Sequence, residues 1–271
     1  MARYDIDRLD NRDPERIRQV NDYLIPILQW YFRPVITGIE RIPEGPGLYV
    51  GNHNGGLLTL DSFTFVAEVF RLRGMADVPF GLGHEIAISL PILRDIVIPL
   101  GAIRASHETA HAAFEAGHKV LVYPGSDYDS FRSYRDRNRV IFGPRRGYLR
   151  LALRERVPII PIVTVGAHEL LYIISDGQRL AKWFPLARLV RAKAWPIALS
   201  IPWGLTVGPP PFYIPVRSQF FQEVLEPITF ERDGEEAARD DAWLEACHQR
   251  VLGAMQSGMD RLVEKRAAYR T

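Results

Sequence analysis

The chain has 271 residues, 47% of them hydrophobic, and a formal net charge of +2. Its length and hydrophobic content are sufficient for one large α/β domain, and the small net charge argues against a general nucleic-acid-binding protein. The single cysteine, Cys247, excludes an internal disulfide framework. Residues 1–10 are polar and acidic, unlike a secretory signal, and no run of 18 or more apolar residues predicts a membrane-spanning helix.

The first predicted element is an amphipathic helix near the N-terminus. Asp13 is the expected N-cap and Pro14 the first helical residue, and apolar residues then recur at helical spacing. The helix ends in the aromatic cluster Trp30–Phe32 beside Arg33. Such a segment either packs on the domain or lies in a membrane interface. We interpret residues 1–34 as an N-terminal amphipathic segment that associates with membranes.

Residues 35–230 are predicted to form the α/β domain. Apolar runs bounded by turn residues predict strands near 48–50, 79–82, 96–99, 119–123 and 159–165, and a later strand over 223–228. Helical patterns lie between them at 61–73, 85–93, 106–116 and 147–154. Strands that alternate with helices imply a mostly parallel mixed sheet that is covered by helices on both faces.

The last third of the chain has a different character. Between residues 180 and 195, cations alternate with aromatic and aliphatic residues, which favours either a surface that faces anionic lipid headgroups or a basic helix packed on the domain. Trp183, Trp195 and Trp203 are candidates to line a groove for an acyl chain, to contact a bilayer or to pack in the core. Residues 231–271 are interpreted as a C-terminal segment with an amphipathic helix over 241–267.

A histidine lies on a glycine-rich turn directly after the strand at 48–50. The turn reads Asn52-His53-Asn54-Gly55-Gly56, and the next acidic residue is Asp61. Ligands bind at the carboxyl edge of open α/β sheets, and imidazole suits proton transfer near neutral pH. The alternative is a turn histidine that caps a helix.

Further polar residues follow other predicted strands. Arg104 follows the third strand, and the turn Tyr123-Pro124-Gly125-Ser126-Asp127-Tyr128-Asp129 follows the fourth. An arginine-rich tract then leads to Arg145-Arg146-Gly147, and Val157-Pro158-Ile159-Ile160-Pro161-Ile162 comes after it. A histidine base beside arginines suits an uncharged nucleophile on an anionic molecule, because the arginines can hold phosphate.

As an ordered set, these motifs resemble the glycerolipid acyltransferase superfamily, which includes the lysophosphatidic acid acyltransferases. The resemblance covers about residues 33–230 and is strongest to the monoacylglycerol/diacylglycerol-acyltransferase-like bacterial branch. It implies direct transfer of an acyl group from a thioester carrier, with His53 as the general base and a carboxylate of the same motif orienting the imidazole. Asn52 belongs to that motif. Backbone amides near Gly125 and Ser126, or near Gly55 and Gly56, are candidates to stabilise an oxyanion.

The sequence departs from the family pattern at two places. The familiar aspartate five residues after the histidine is replaced by Leu58, so Asp61 takes that role only if the glycine turn is extended. A continuous helix from His53 would place Asp61 about 12 Å along the axis. The third motif reads Pro124-Gly125-Ser126, where the family usually has Pro-Glu-Gly. Asp127 and Asp129 are therefore rival partners of His53, or acceptor-binding groups. Arg104, Arg145 and Arg146 match positions that the family uses around acceptor phosphate.

A zinc site is the main competing interpretation. His107-Glu108-Thr109-Ala110-His111 is an H-E-x-x-H sequence on a predicted helix, where two histidines at i and i+4 can bind Zn²⁺. His168-Glu169 is a distant candidate source of a third ligand. No G-x-S-x-G sequence predicts a serine hydrolase.

We therefore expect an acyltransferase that uses acyl-CoA or acyl carrier protein and no further cofactor or metal. The expected acceptor is a hydroxyl of a lysophospholipid or related glycerolipid, and the alternative is a neutral acceptor such as a monoacylglycerol, a diacylglycerol or an alcohol. The predicted location is cytoplasmic and peripheral on a membrane. A zinc metallohydrolase and a non-catalytic lipid-binding protein are the more distant alternatives.

Overall fold

The computed structural model describes residues 4–56, 59–85, 88, 91–184, 187, 192–210 and 212–269. In these ranges the chain forms ten strands: β1 Val35–Thr37, β2 Gly47–Gly51, β3 Phe80–Gly83, β4 Ala102–Arg104, β5 Lys119–Val122, β6 Ile159–Val165, β7 Tyr172–Ser175, β8 Ile197–Ser200, β9 Gly204–Val207 and β10 Phe221–Val224. Seven of them form one sheet in the order β1-β10-β6-β2-β5-β3-β4, and β7, β8 and β9 form a second, smaller sheet.

The large sheet is mostly parallel. Strand β2 lies near its centre and pairs in parallel with β5 and β6. Strand β3 continues the parallel arrangement with β4 and β5. Strand β10 runs antiparallel to β6, and β1 follows β10 in parallel. The predicted α/β fold with a mostly parallel mixed sheet is therefore confirmed.

Helices precede, connect and follow these strands. Their bounds are α1 Pro14–Gln19, a π-helical turn Val20–Leu24, α2 Ile25–Phe32, α3 Leu60–Arg73, α4 Pro91–Val97, α5 His107–Glu115, α6 Asp127–Ser130, α7 Gly147–Glu155, α8 Gln178–Trp183, α9 Gly234–Arg239 and α10 Asp241–Tyr269. Asp13 caps α1 as predicted, because its side chain accepts the backbone N–H groups of Glu15 and Arg16. No helix in the described ranges is both long and apolar enough to cross a bilayer.

One predicted strand is wrong. Residues 96–99 do not form a strand, because Pro91–Val97 is a helix and the strand at this edge is Ala102–Arg104. A short apolar run is compatible with either element. The predicted helix over 85–93 falls partly outside the described residues. The last strand begins at Phe221, two residues before the predicted start, and ends at Val224.

Both faces of the large sheet are covered. On one face, α10 buries Val251, Met255 and Met259 in a cluster with residues of β6. On the other, α3 packs Phe65 and Val69 against β2. The N-terminal helix α2 buries Ile25, Leu28 and Phe32, and the Phe32 ring stacks on Phe220 with 4.5 Å between centroids.

The small sheet lies over the loop that follows β2. Its inner residues Ile173 and Ala198 pack with Phe131, Leu171 and Tyr213. The hydroxyl of Tyr213 donates a hydrogen bond to the carbonyl of Gly55. The sequence analysis did not predict this second sheet.

The three tryptophans have different environments. Trp195 is buried and stacks on Phe184, whereas Trp183 and Trp203 are 83% and 47% exposed. Part of the basic, aromatic stretch between residues 180 and 195 lies outside the described residues.

Candidate active site

The loop after β2 carries the candidate base to the carboxyl edge of the sheet. All five residues of β2 are buried, so its position is fixed by the sheet on both sides. Gly51 leaves room for the ring of Tyr123, because a Cβ at this position would lie 2.5 Å from Tyr123 Cε1. Gly55 and Gly56 have φ of +66° and +73°, in the region that favours glycine. An extended loop before the helix is what would allow Asp61 to approach His53. Residues Asn54–Gly56 are not helical, and α3 begins at Leu60. Residues 57 and 58 lie outside the described residues.

His53 is partly buried at the start of this loop. Its ring meets the Tyr123 ring edge to face, with 5.2 Å between centroids. Nδ1 is buried and has no hydrogen-bond partner among the described residues. Burial, and next the positive charge of Arg132, lower the pKa of His53 to about 4. The imidazole is therefore neutral at physiological pH, which is the form that a general base requires.

Asp129 holds the backbone of His53 and not its ring. Its Oδ2 accepts the backbone N–H of His53 at 2.6 Å. Its Oδ1 accepts from Arg132 Nη1 at 3.0 Å and from the backbone N–H of Ile141 at 3.4 Å. Burial raises the pKa of Asp129 to about 6, and Arg132 acts in the opposite direction.

The Arg132 guanidinium is buried and fully engaged. Nη1 donates to the carbonyl of His53 at 2.6 Å, as well as to Asp129. Nη2 donates to Asn54 Oδ1 at 2.6 Å and to the carbonyl of Arg137 at 2.9 Å, and Nε donates to the carbonyl of Asp136 at 3.2 Å. One planar cation thus joins the histidine loop to the turn after β5.

Asn52 and Asn54 stabilise the loop from within. Asn52 exchanges two hydrogen bonds with the backbone of Thr164, at 3.0 and 2.8 Å, and so extends the pairing of β2 with β6. Asn54 Nδ2 donates to the Asn52 carbonyl at 3.0 Å and to Asp61 Oδ2 at 2.9 Å. Its Oδ1 accepts from Asn52 and Arg132, so every polar atom of this buried amide is satisfied.

Asp61 is linked to His53 through Asn54. In the described part of the chain, no hydrogen bond joins the Asp61 carboxylate to the His53 imidazole, and the carboxylate accepts from Asn54 instead. Burial raises the pKa of Asp61 to about 6. Nearby, the hydroxyls of Ser62 and Tyr123 are hydrogen-bonded to each other. Asp61 therefore belongs to the same buried cluster as His53 but does not contact its ring.

A second histidine closes the other side of the loop. His168 Nε2 lies 2.8 Å from the carbonyl of Arg132, which can only accept, so Nε2 carries the proton. Nδ1 then accepts the backbone N–H of Gly55 at 3.4 Å. Burial and the cation of Arg132 lower the pKa of His168 well below its usual value. A neutral histidine with both nitrogens engaged has a structural role here.

The turn after β5 supplies most of the remaining predicted residues. Gly125 has no room for a side chain, because a Cβ would lie 2.3 Å from Asp129 Cβ and 2.4 Å from the carbonyl oxygen of Ile141. Ser126 has a φ of +45°, which is unusual for a residue with a side chain. Asp127 accepts from Arg145 Nη2 at 2.8 Å and from the backbone N–H of Lys193. It therefore pairs with Arg145 and not with His53.

The candidate oxyanion donors differ in availability. The N–H of Gly56 donates to the carbonyl of Ser130 at 3.1 Å, and the N–H of Ser126 donates to the carbonyl of Tyr123 at 3.1 Å. The N–H of Gly55 makes the long contact with His168. The N–H of Gly125 has no hydrogen bond to any described residue.

The three arginines predicted to bind acceptor phosphate are each paired with an acid. Arg104 lies on the edge strand β4, and its Nε is 2.9 Å from Asp7 Oδ1. Arg145 pairs with Asp127. Arg146 donates two hydrogen bonds to Glu245 of α10, at 2.9 and 2.7 Å. The structure does not bring these arginines together around His53.

The H-E-x-x-H sequence begins helix α5, and its second histidine, His111, lies on the exposed surface of that helix. His111 Nδ1 is 2.7 Å from Glu155 Oε2, and its Nε2 is 3.5 Å from Glu115 Oε1. The pKa of His111 is raised by the hydrogen bond to Glu155. Within the described ranges, no group of three His, Cys, Asp or Glu side chains is placed to hold a metal ion.

A cavity of about 590 Å³ opens elsewhere on the molecule. It is lined by residues of α2, α3, β1 and the C-terminal helix and by the connecting residues Arg33, Pro34 and Gln219. Strands β10 and β6 separate β1 from the strand that carries His53. None of the predicted site residues lines this cavity.

The sequence of this region matches a known family. The Acyltransferase family model matches residues 33–165, which include all twelve predicted site residues. The match covers just under half of the chain. The family resemblance noted in the sequence is thereby confirmed.

Individual relatives are distant. The chain is 26% identical over 197 residues to an uncharacterized protein of Mycobacterium tuberculosis, covering 68% of this chain and 55% of that protein. It is 27% identical over 148 residues to the mouse (Mus musculus) "DGAT1/2-independent enzyme synthesizing storage lipids", covering 55% of this chain and 43% of that enzyme. The chain thus spans about half the length of the curated relatives it matches.

A solved structure is also similar, that of the 1-acyl-sn-glycerophosphate (LPA) acyltransferase PlsC from Thermotoga maritima. The match has a TM-score of 0.47 and 16% sequence identity, and it covers 90% of this chain and 82% of that one.

Proposed function

We propose that this protein is an O-acyltransferase that moves a fatty acyl group from acyl-CoA or acyl carrier protein to a hydroxyl of a glycerolipid. The observation that carries the proposal is the placement of His53. It is a neutral imidazole at the carboxyl edge of the central strand, and its backbone is held from both sides by Asp129 and Arg132. The family of residues 33–165 supports the reaction class.

The reaction follows from the chemistry of a neutral base. The His53 imidazole accepts the proton of the acceptor hydroxyl as the oxygen attacks the thioester carbonyl. A tetrahedral oxyanion forms, and the N–H of Gly125 is a candidate donor to it because it has no partner among the described residues. The carbon–sulfur bond then breaks, and the thiolate takes the proton from the imidazolium. The products are an ester and a free thiol, and no covalent enzyme intermediate is needed.

The buried cluster prepares the base for this step. The positive charge of Arg132 favours the neutral imidazole before the reaction. The hydrogen bonds to the backbone of His53 fix the direction from which the ring meets its substrate. Asp61 acts through Asn54 in this proposal, since its carboxylate hydrogen-bonds that amide.

The pairing of the arginines supports a neutral acceptor over a lysophospholipid. Arg104, Arg145 and Arg146 each have an acidic partner, so none of them presents an unpaired charge to an acceptor phosphate. The mouse relative is named for the synthesis of storage lipids. A monoacylglycerol, a diacylglycerol or a long-chain alcohol is therefore the acceptor class we propose, with transfer at the surface of a membrane.

A thiol-release assay tests the proposal. Purified protein is given acyl-CoA or acyl carrier protein thioester with a panel of acceptors that includes a monoacylglycerol, a diacylglycerol, a long-chain alcohol and lysophosphatidic acid. We expect release with a neutral acceptor and a loss of about 10²–10⁴-fold in kcat for His53→Ala. His111→Ala is the matched control, because it removes an exposed histidine of helix α5. Unchanged activity in His53→Ala would show that the assigned base is wrong, and faster transfer to lysophosphatidic acid would contradict the neutral acceptor.

A further inference from the structure

The small sheet has two different faces. Ile173 and Ala198 point inward and are fully buried. The residues that alternate with them point outward, and Tyr172, Leu199 and Leu205 form one row across the three strands in register. All three are exposed, by 45%, 46% and 63%. A solvent-facing strand surface normally carries polar side chains, so the outward face of this sheet is unusual.

The apolar surface continues beyond the three strands. Ile201 and Ile214 face each other in an isolated bridge and are more than half exposed. Trp203 packs on Phe212 with 4.9 Å between ring centroids, and both remain about half exposed. We call this surface the outer face; its exposed residues are Tyr172, Ile174, Leu199, Ile201, Trp203, Leu205, Val207, Phe212, Ile214 and Val216.

The size of the outer face distinguishes it from ordinary surface. Ten apolar side chains that are each about half exposed present on the order of 1,000 Å², whereas the largest apolar patch on a monomeric protein is about 300–600 Å². The N-terminal helix extends it. Tyr31 donates a hydrogen bond to the carbonyl of Pro215 at 3.0 Å, and its neighbour Trp30 is 67% exposed.

The charge around the outer face identifies its partner. Residues 171–217 contain six Lys and Arg residues and a single acid, Asp176, so this stretch carries +5 within a chain of net +2. The described cations Arg179, Lys182 and Lys193 are exposed. The guanidinium of Arg217 lies 5.8 Å from the centre of the Trp30 ring. An apolar surface with a basic border is complementary to an anionic bilayer.

The same charge disfavours a second copy of this chain as the occupant. A twofold dimer through the outer face would bring together two copies of the exposed cations Arg179, Lys182, Lys193 and Arg217, and like charges across an interface oppose association.

The inner side of the sheet connects this surface to the candidate active site. Leu171 packs on Gly56, and the Tyr213 hydroxyl donates to the Gly55 carbonyl. Both glycines belong to the loop of His53. Packed layers are about 10 Å apart, so a bilayer on the outer face would lie about one protein layer from the loop that holds the base.

We infer that the outer face is the surface through which this protein docks on an anionic lipid bilayer. What docking would achieve rests on the proposed function, since docking would bring a lipid hydroxyl toward His53. The docking itself can be measured without any catalysis.

Vesicle flotation tests the inference. Wild type is mixed with phosphatidylcholine vesicles, with and without phosphatidylglycerol, at low and at high salt. The test variant is Leu199→Glu/Leu205→Glu, which places two charges opposite each other on the outer face. The matched control is Leu72→Glu/Ile92→Glu, which adds the same charges at exposed apolar residues on α3 and α4. A thermal melt confirms that both variants fold.

Wild type and the control are expected to float with the anionic vesicles, and the test variant is expected to bind at least about 10-fold more weakly. Arg179→Gln/Lys182→Gln is expected to lose the preference for phosphatidylglycerol. Undiminished vesicle binding by the test variant would overturn the inference, as would a wild-type dimer that the test variant converts to a monomer.

A second measurement separates docking from catalysis. Thiol release with a short-chain acceptor dissolved as a monomer is expected to be unchanged in Leu199→Glu/Leu205→Glu and lost in His53→Ala. If no acceptor supports thiol release, the proposed function fails while the flotation result still decides the docking surface.

Discussion

The carboxylate of Asp129 accepts the backbone N–H of His53, with 2.6 Å between Oδ2 and N. The other oxygen of the same carboxylate accepts from Arg132, which in turn donates to the carbonyl of His53. The peptide groups on both sides of the candidate base are therefore bound to one buried ion pair. This arrangement positions the imidazole without touching it.

The first prediction concerns that ion pair. Asp129→Asn places amide N–H groups against the donors of His53 or Arg132 and leaves a buried cation without its partner. We expect a loss of about 3–5 kcal/mol in the free energy of unfolding, measured by denaturant titration, and a fall in kcat with little change in KM. Asp127→Asn is the control, because its pair with Arg145 is partly exposed and contributes about 1 kcal/mol or less. Equal effects of the two substitutions would contradict the role of Asp129.

The second prediction concerns the close approach at Gly125. A methyl group there would collide with the Cβ of Asp129 and the carbonyl of Ile141. Gly125→Ala is expected to destabilise the protein by about 1–3 kcal/mol and to lower kcat, because Asp129 must move. Gly253→Ala is the control in an exposed position of α10 with open space around it, and it is expected to stabilise by about 0.5–1 kcal/mol. Thermal melts of the two variants should shift in opposite directions.

The central strands and the edge that carries His53 could be predicted because their signals are local. Strands β2, β5 and β6 are buried apolar runs, and Ser106 and Asp13 are ordinary helix caps. The small sheet also had a local signal, since Ile197, Leu199 and Ile201 alternate with smaller residues. Pro196 and Pro202 flank this short run, and because proline is unfavourable inside a sheet, the alternation alone does not predict a strand.

The partners within the site could not be predicted, because they depend on contacts between distant parts of the chain. Arg132 was one of several arginines in a tract, and nothing local distinguishes it from Arg135 or Arg139. Its contact with His53 joins residues that are 79 positions apart. The ion pair of Arg104 with Asp7 is equally invisible in the sequence. His168 appeared only as a remote zinc ligand, although its nitrogens bond the backbone of the site.

The third prediction concerns the H-E-x-x-H sequence. His111 bonds Glu155 and Glu115 on an exposed helix surface, so His111→Ala is expected to leave both acyl transfer and folding nearly unchanged. Metal analysis of the purified protein should find no stoichiometric zinc. Stoichiometric zinc that is lost on His111→Ala would instead favour the metallohydrolase.

The fourth prediction concerns the role of Asp61. Its carboxylate accepts a hydrogen bond from Asn54 and makes no hydrogen bond to the His53 ring within the described residues. An amide oxygen can accept that bond equally well, so Asp61→Asn is expected to keep kcat within about 10-fold of wild type. If the Asp61 carboxylate stabilised the imidazolium directly, Asp61→Asn would instead lower kcat by about 10⁴-fold, as in a His–Asp pair. Single-turnover rates for Asp61→Asn and Asp61→Ala distinguish the two cases, because only the alanine variant loses the hydrogen-bond acceptor for Asn54 Nδ2.

The last prediction concerns the pKa of His53. Burial and the charge of Arg132 lower this pKa to about 4, so the neutral base persists as the pH falls and is lost only below that value. Arg132→Gln removes the cation, which favours the imidazolium and raises the pKa. The acid limb of kcat/KM should therefore move to higher pH. Arg132→Lys keeps the charge but loses several hydrogen bonds, so it should lower kcat and leave the pKa nearly in place. Histidine NMR titration, with the His53 signal assigned by its absence in His53→Ala, measures both variants. An equal pKa shift in both variants would show that the charge of Arg132 is not the cause.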